Sequence, residues 1–240
     1  MKKYLLSALL GLLVAAPALA QTETQLRPVE KFHAITVGTG IALVLTGGPA
    51  QRVEASALTA DLRDHILTKV VAGVLTIQYE DLEESARERG NKKLAKLDKK
   101  LRVAVTADQL TSLLANSGAT VTATGPYAAP DFQLDVSSGA NLRADINVGV
   151  LIVRQSSGSA VALSGQAPRF DLRLSSGSTF DGSALQTSRS QIEASSGSIA
   201  KLAVREVLMA EATGGANVRY IGSPEVTKTV SGGGTVSSGK

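Results

Sequence analysis

The sequence contains no cysteine and no tryptophan, and its only histidines are His33 and His65. A chain without cysteine forms no disulfide and no thiolate metal site, and it carries no lipid on a cysteine after a cleavage point. Two histidines far apart in sequence supply neither a zinc site nor the base of a nucleophilic triad. The sequence therefore predicts no metal ion and no catalytic residues, and a fold held by its core and its backbone hydrogen bonds.

Long apolar runs are missing as well, apart from the first residues. There, two lysines precede an apolar stretch, and Ala18 and Ala20 have the spacing of a small-residue cleavage site. This pattern is typical of a secretory signal peptide over 1–20, with an apolar part too short for a membrane span. We expect the mature chain, 21–240, to be one exported domain without a transmembrane segment, located in the periplasm, on the cell surface or outside the cell.

Neither sign of charge predominates, because removing the two leader lysines lowers the net charge from +4 to +2. Such a balance indicates neither nucleic acid nor a membrane surface as a partner. The charges concentrate in 80–100, which is acidic first and basic last and therefore suits a helix dipole. We interpret this segment as a solvated helical or loop excursion, with a basic contact patch over 92–100 as the alternative.

Motifs that bind phosphates or ions are incomplete. Residues 234–240 read GTVSSGK but lack the following Ser or Thr and the helix of a phosphate-binding loop. Gly38 and Gly40 lack the third glycine of a dinucleotide-binding turn, and residues 214–217 lack the aspartate of a calcium-binding solenoid repeat. No cofactor is predicted.

Glycine and serine, in contrast, recur in one motif. A strand of alternating apolar residues ends in Ser-Ser-Gly-Ser or a close variant, as in FQLDVSSGA from Phe132 and FDLRLSSGS from Phe170. Successive marker glycines lie 21, 19, 19, 20, 18 and 18 residues apart, and a near-constant period is the signature of a solenoid. The marker glycines, which we predict to form a ladder of structural turns, are Gly118, Gly139, Gly158, Gly177, Gly197, Gly215 and Gly233.

The residues seven, five and three positions before each marker glycine are mostly apolar, as in Phe170, Leu172 and Leu174, and Gln155 is an exception. This period of two predicts strands with one face in the core. The segments between the motifs leave room for a second and a third short strand per coil. We therefore predict an all-β solenoid of stacked parallel coils.

The residue four positions before each marker glycine is predicted to point outward. Equivalent residues of neighbouring coils lie about 4.8 Å apart in a parallel stack, so that Asp135 would pair with Arg154 and Arg173 with Glu193. Such exposed pairs are each worth less than about 1 kcal/mol. The column consists of Asp135, Arg154, Arg173, Glu193 and Glu211.

Ser-Gly-Ser is predicted to form the corner of each coil. Glycine tolerates positive φ and brings no Cβ into the neighbouring coil, and serine hydroxyls bond nearby backbone groups. As nucleophiles these serines lack a G-x-S-x-G elbow and a nearby histidine.

Upstream of the repeats, 32–79 has apolar runs between Gly and Pro turns, which predict irregular strands. Within this region, 61–71 is predicted to be a short helix, because Leu62, Ile66 and Val70 lie on one helical face at four-residue spacing.

Several stretches together resemble one family. They are ITV at 35–37 after Phe32, VLTGG at 44–48, GVLTI at 73–77, the serine–glycine repeats, and GANVRYIGSP at 215–224. The chain resembles the head GIN domain family of putative auto-transporter adhesins, a group of bacterial exported proteins, over 32–236. The resemblance implies a right-handed parallel β-helix and the role of an adhesin, and it carries over no catalytic residues.

We expect a non-enzymatic exported protein that serves as an adhesin or binding scaffold at the cell envelope, with a cell-surface glycan or protein as its partner. One alternative is a polysaccharide-processing β-helix enzyme, which needs clustered carboxylates and usually aromatic platforms. Its candidates, Asp145, Asp171 and Asp181, fall on different turns. The second alternative is a structural or stress-related envelope protein that self-associates into a homo-oligomer.

Overall fold

A computed structural model of the protein describes residues 24–80 and 98–239. The described chain is nearly all-β, with 64% strand and 3% helix, and its coils stack into a β-solenoid of about seven turns. The predicted fold class is therefore confirmed. The predicted signal peptide, 1–20, lies outside the described residues, and so does most of the predicted charged excursion, 80–100.

Short strands form the N-terminal part of the stack. They are β1 (Thr24–Leu26), β2 (Ala34–Val37), β3 (Ala42–Thr46), β4 (Arg52–Ser56), β5 (Ile66–Val71), β6 (Val74–Tyr79), β7 (Arg102–Thr106) and β8 (Ser112–Ala115). The regular part contains both long and short strands, and some of the long ones continue through a bend of the coil that appears as a shift of register. The strands of this part are β9 (Thr120–Val136), β10 (Asn141–Gln155), β11 (Ala160–Gln166), β12 (Arg169–Leu174), β13 (Thr179–Ala194), β14 (Ile199–Ala212), β15 (Asn217–Ile221), β16 (Glu225–Val230) and β17 (Thr235–Ser238).

The regular coils pair in parallel, and equivalent residues of the repeats are in register. Leu151 of β10 lies between Phe132 of β9 and Phe170 of β12, and all three side chains are buried. Phe170 stacks on Phe180 with ring centroids 5.3 Å apart. The apolar alternation of the sequence thus fills one continuous core along the axis of the stack.

Gln155, the exception to the apolar pattern, is buried in this core. Its Nε2 donates hydrogen bonds to the backbone oxygens of Ser159 at 2.9 Å and Thr179 at 2.8 Å. The amide therefore bonds backbone groups of two neighbouring coils, which offsets part of the cost of burying a polar side chain.

Antiparallel strands cover the N-terminal end of the stack. β4 pairs antiparallel with β1 on one side and with β7 on the other, and β5 forms a hairpin with β6. This end therefore differs from the coil repeat, as is common in solenoids, whose terminal units protect the core.

The short helix predicted over 61–71 is wrong for most of its length. The helix α1 spans Ala60–Asp64 only, with the Thr59 hydroxyl accepting a hydrogen bond from the Leu62 backbone N–H at 3.3 Å. The chain then turns into β5, whose residues alternate between buried or half-buried and exposed. Ala72 and Gly73 follow with φ of 49° and 75°. Two successive positive φ values are those of a tight hairpin turn, which pairs β5 with β6 and excludes a longer helix.

Candidate binding groove

A groove of about 490 Å³ runs along the outside of the stack, across five coils. We call it the arginine groove. One wall is the predicted column of charged residues, and the other is a column of hydroxyl residues at the corners. The residues that line it and carry its chemistry are Asp135, Arg154, Arg173, Glu193 and Glu211 in the first wall and Ser137, Ser156, Ser175, Ser195 and Thr213 in the second.

The charged wall has the register that the sequence predicts. β10 places Arg154 opposite Asp135 of β9 and Arg173 of β12, and β13 places Glu193 next to Arg173. Arg154 Nη1 lies 3.7 Å from Asp135 Oδ1, and Arg173 Nε lies 3.4 Å from Glu193 Oε2. Both predicted ion pairs are thereby confirmed. Because their side chains are 30–55% exposed, each pair contributes little to stability.

Asp135 is further held by a neighbour on its own strand. Gln133 Nε2 donates a hydrogen bond to Asp135 Oδ2 at 2.6 Å, while Asp135 Oδ1 faces Arg154. A carboxylate held by two partners keeps its orientation, so this end of the wall is arranged before a ligand arrives.

The hydroxyl wall stands on backbone hydrogen bonds between coils. The Ser156 N–H donates to the Val136 oxygen at 3.1 Å, and the Ser175 N–H donates to the Gln155 oxygen at 3.0 Å. Across 24–80 and 98–239, no protein group bonds the hydroxyls of Ser156 and Ser175. These hydroxyls can therefore donate to or accept from a molecule in the groove.

Each corner is a tight turn with two residues of positive φ. Ser138 and Gly139 have φ of 53° and 71°, and the Ala140 N–H closes the turn on the Ser137 oxygen at 3.1 Å. This is the pattern of a type I′ turn. The marker glycines occupy the second positive-φ position in every copy: Gly118, Gly139, Gly158, Gly177, Gly197, Gly215 and Gly233.

Hydrogen bonds connect each corner to the next. The Gly139 N–H donates to the Ser157 oxygen at 3.0 Å, and the Gly158 N–H donates to the Ser176 oxygen at the same distance. The ladder begins one coil before Gly118, at Gly40, whose N–H donates to the Ser117 oxygen at 2.9 Å. The sequence predicts a turn at Gly38, Thr39 and Gly40 but does not assign it to the ladder, because the Ser-Ser-Gly motif is absent there.

The prediction that glycine is needed at the corners to keep a Cβ out of the neighbouring coil is wrong. A Cβ added at Gly139 or Gly158 would meet no atom within 4 Å, so the neighbouring coil does not require its absence. The positive φ alone favours glycine there. The serine that follows the glycine does bond the backbone as expected: the buried Ser159 hydroxyl donates toward the Ser156 oxygen at 2.8 Å.

The aspartates of the enzyme alternative are divided between two places. Asp145 and Asp181 line a second groove of about 520 Å³, together with Arg143 and Ser183, whereas Asp171 lies on another face next to Arg169 and Arg189. The Ser183 N–H donates to Asp181 Oδ1 at 3.1 Å, and this hydrogen bond lowers the pKa of the Asp181 carboxyl. Asp181 is thus held in its ionised form, which suits a base or a hydrogen-bond acceptor.

The two histidines make separate contacts in the structure. Within the described residues, no group of three or more His, Asp or Glu side chains has the arrangement of a metal site. His33 packs over Gly73, and His65 Nδ1 lies 2.7 Å from the backbone oxygen of Asp61. In the described parts of the chain, no helix has the length and apolar character to cross a membrane.

Residues 31–224 match the family model described as "Putative auto-transporter adhesin, head GIN domain", in agreement with the resemblance drawn from the sequence. No curated protein matches the chain.

Crystal structures of three bacterial proteins have the same fold. A putative adhesin from Bacteroides fragilis has a TM-score of 0.76 at 16% identity, and one from Parabacteroides merdae has 0.67 at 18%. A putative lipid binding protein from Parabacteroides distasonis has 0.68 at 16%. Each comparison covers 91% of this chain and 96% of the other. At these identities the likeness concerns the fold alone.

Proposed function

The chain belongs to the head GIN domain family of putative auto-transporter adhesins, and from that premise we propose that it is an exported, non-enzymatic protein that binds a ligand at the cell envelope through the arginine groove. The predicted signal peptide supports export. The observation that carries the proposal is the groove itself, in which charged and hydroxyl side chains repeat in register across five coils.

The rigidity of the stack supports binding without a conformational step. The strands below the groove are paired on both sides with neighbouring coils, and the corners are tied to one another. The backbone of such a support needs no ordering when a ligand binds, so less of the contact energy is lost.

Binding of the purified, exported protein to a glycan array and to whole cells tests this proposal. The variant Arg154→Ala/Arg173→Ala should lose the binding. The matched control is Arg189→Ala, because Arg189 also forms an exposed ion pair, with Glu206 at 3.8 Å, but lies outside the groove. Binding that persists in the double variant, or no binding on either surface, would refute the proposal.

The second groove favours a different candidate function, a polysaccharide-processing enzyme. It holds Asp145, Asp181 and Arg143 together, and pairs of carboxylates carry out glycoside hydrolysis. Since Asp181 is held ionised, it would act as the base, and Asp145 is the second carboxyl group of the pair. A screen for products released from polysaccharides, with Asp145→Asn and Asp181→Asn as comparisons, tests it; absence of turnover in the unmodified protein excludes it for the polysaccharides screened.

A further inference from the structure

We infer that the arginine groove takes an acidic glycan in which one anionic sugar is flanked by neutral sugars. The inference rests on the proposed function and names its ligand class. It comes from the order of charges along the groove, which is acidic, basic, basic, acidic, acidic over successive coils: Asp135, Arg154, Arg173, Glu193 and Glu211.

The two arginines define the position of the anion. Arg154 and Arg173 are direct neighbours in the stack, and their carboxylate partners lie on the coils beyond them. Each arginine meets its partner through one nitrogen, at 3.7 and 3.4 Å, whereas charge-assisted hydrogen bonds are about 2.7–2.9 Å long. Several N–H groups of both guanidinium groups therefore stay available, and a carboxylate or sulfate between them would accept from both.

The carboxylates on either side define the positions of neutral groups. A second anion one coil away would lie next to Asp135 or next to Glu193 and Glu211, where like charge repels it. A neutral sugar in these positions would instead donate its hydroxyl hydrogens to the carboxylates. The groove therefore selects against a chain with a charge on every sugar.

The hydroxyl wall favours a ligand rich in hydroxyl groups. Ser156 and Ser175 stand beside the two arginines, one per coil, and offer both donors and acceptors to a ligand that runs across the coils. A glycan presents matching groups along its whole length.

An extended peptide fits the groove less well. Peptides commonly bind by adding a strand to a sheet edge, with their backbone groups paired. The strands below the groove have no such edge, since β10, β12 and β13 are each paired with the coils on both sides. A peptide here would leave its backbone amides to side chains alone, so we favour the glycan.

Calorimetric titration of the purified, exported protein tests the inference with trisaccharides. The hyaluronan trisaccharide carries a carboxylate and the κ-carrageenan trisaccharide a sulfate on the central sugar alone, the polygalacturonate trisaccharide is charged on every sugar, and the chitin trisaccharide is neutral. We expect hyaluronan, κ-carrageenan or both to bind about tenfold more tightly than the latter two, and the arm that binds identifies the anion.

Variants keep the test specific. Arg173→Ala should weaken this binding about tenfold or more, and Arg173→Lys, which keeps the charge and loses the planar fork, should weaken it as well. Glu193→Gln should raise the affinity for polygalacturonate, because it removes the repelling charge. Arg189→Ala should change nothing.

Preference for the neutral or the uniformly charged chain, or for a poly-glutamate peptide, would overturn the inference. If the array or cell binding still depends on Arg154 and Arg173, the proposed function stands despite such a result. Glycan binding that the Arg154→Ala/Arg173→Ala variant retains would refute the proposed function itself.

Discussion

Arg154 and Arg173 are paired in register on adjacent coils, and each contacts a carboxylate on the coil that lies away from the other arginine, Asp135 at 3.7 Å and Glu193 at 3.4 Å. The outer carboxylates offset the repulsion between the two guanidinium groups. The two arginines can therefore lie side by side without a ligand, and most of their N–H groups remain available to bind one.

We predict that Arg154→Ala changes the free energy of unfolding by less than about 1 kcal/mol, because the ion pair it removes is exposed to solvent and weak. Denaturant titration followed by circular dichroism measures this. Arg189→Ala, which removes the exposed pair with Glu206, should behave the same way. A loss of several kcal/mol would show that Arg154 has a structural role and would make its binding data ambiguous.

Two glycines should differ in how they tolerate alanine. Gly158 has φ of 68° and open space around an added Cβ, so Gly158→Ala should cost about 1 kcal/mol of stability, the strain of a left-handed residue. Gly165 has φ of 100°, and an added Cβ would overlap the backbone oxygen of Ile146. Gly165→Ala should therefore cost at least about 3 kcal/mol.

Thermal and denaturant unfolding of both glycine variants compares them. Gly158→Asn is the control for conformation, because asparagine visits the left-handed region more readily than alanine and should cost less. Equal destabilisation at the two sites would mean that crowding at Gly165 is relieved by movement of the coil.

Tyr127 connects the start of the regular coils to the preceding loop. Its hydroxyl accepts from the Leu110 N–H at 2.6 Å and donates to the Asp108 oxygen at 3.1 Å. Tyr127→Phe leaves the buried Leu110 N–H without this partner and should cost about 1–3 kcal/mol at neutral pH. Equilibrium unfolding measures the loss, and an unchanged stability would contradict the role of the hydroxyl.

The same residue predicts a pH dependence. Burial raises the pKa of Tyr127 above its ordinary value of 10.0, against the opposing effect of the Leu110 N–H. The unfolded chain then ionises first as the pH rises, so the contribution of Tyr127 to stability is complete below pH of about 10 and declines above it. The difference in unfolding free energy between the unmodified protein and Tyr127→Phe should shrink as the pH rises above about 10; a constant difference would contradict it.

Lys228 lies at the C-terminal side of the stack, where its charge opposes association with another molecule. It lies on β16 in register with Ala210, a core position of β14, and its Nζ donates to the Val236 oxygen at 3.4 Å. Among the described strands β16 pairs only with β14, and a charge on the core side of such a strand opposes pairing with another molecule. We predict that Lys228→Val promotes self-association, seen as a mass that rises with concentration in light scattering.

Lys201→Val, at an exposed outward position of β14, is the matched control and should leave the mass unchanged. The alternative of a self-associating envelope protein makes the opposite prediction, an oligomer of the unmodified chain. A Lys228→Val variant that stays monomeric at high concentration would contradict the prediction that Lys228 prevents self-association.

The regular coils could be predicted from the sequence because the same pattern of apolar residues and glycine occurs in nearly every repeat. A period of two in the strand and a period of about nineteen between glycines leave one register, and that register also predicts the contacts of Arg154 and Arg173. The groove was harder to foresee. Its second wall consists of the first serine or threonine of each corner, two residues after the charged position, where the sequence predicts turn chemistry and not a binding surface.

The N-terminal part could not be predicted in the same way, because nothing repeats there. Leu62, Ile66 and Val70 lie four residues apart, and a spacing of four is both one helical turn and two strand periods. The tight turn at Ala72 and Gly73 decides for the strand, and its partner β6 is specified only by the tertiary structure. The residue type at Ala72 does not by itself predict a positive φ.

The hydrogen bonds between successive corners allow the number of coils to change during evolution. Because each coil meets its neighbours through the same contacts, a whole coil of about nineteen residues can be duplicated or lost without altering the cross-section. The groove would then lengthen or shorten by about 4.8 Å per event. Duplication or loss of a coil in the gene would thereby change the length of ligand that the groove accommodates.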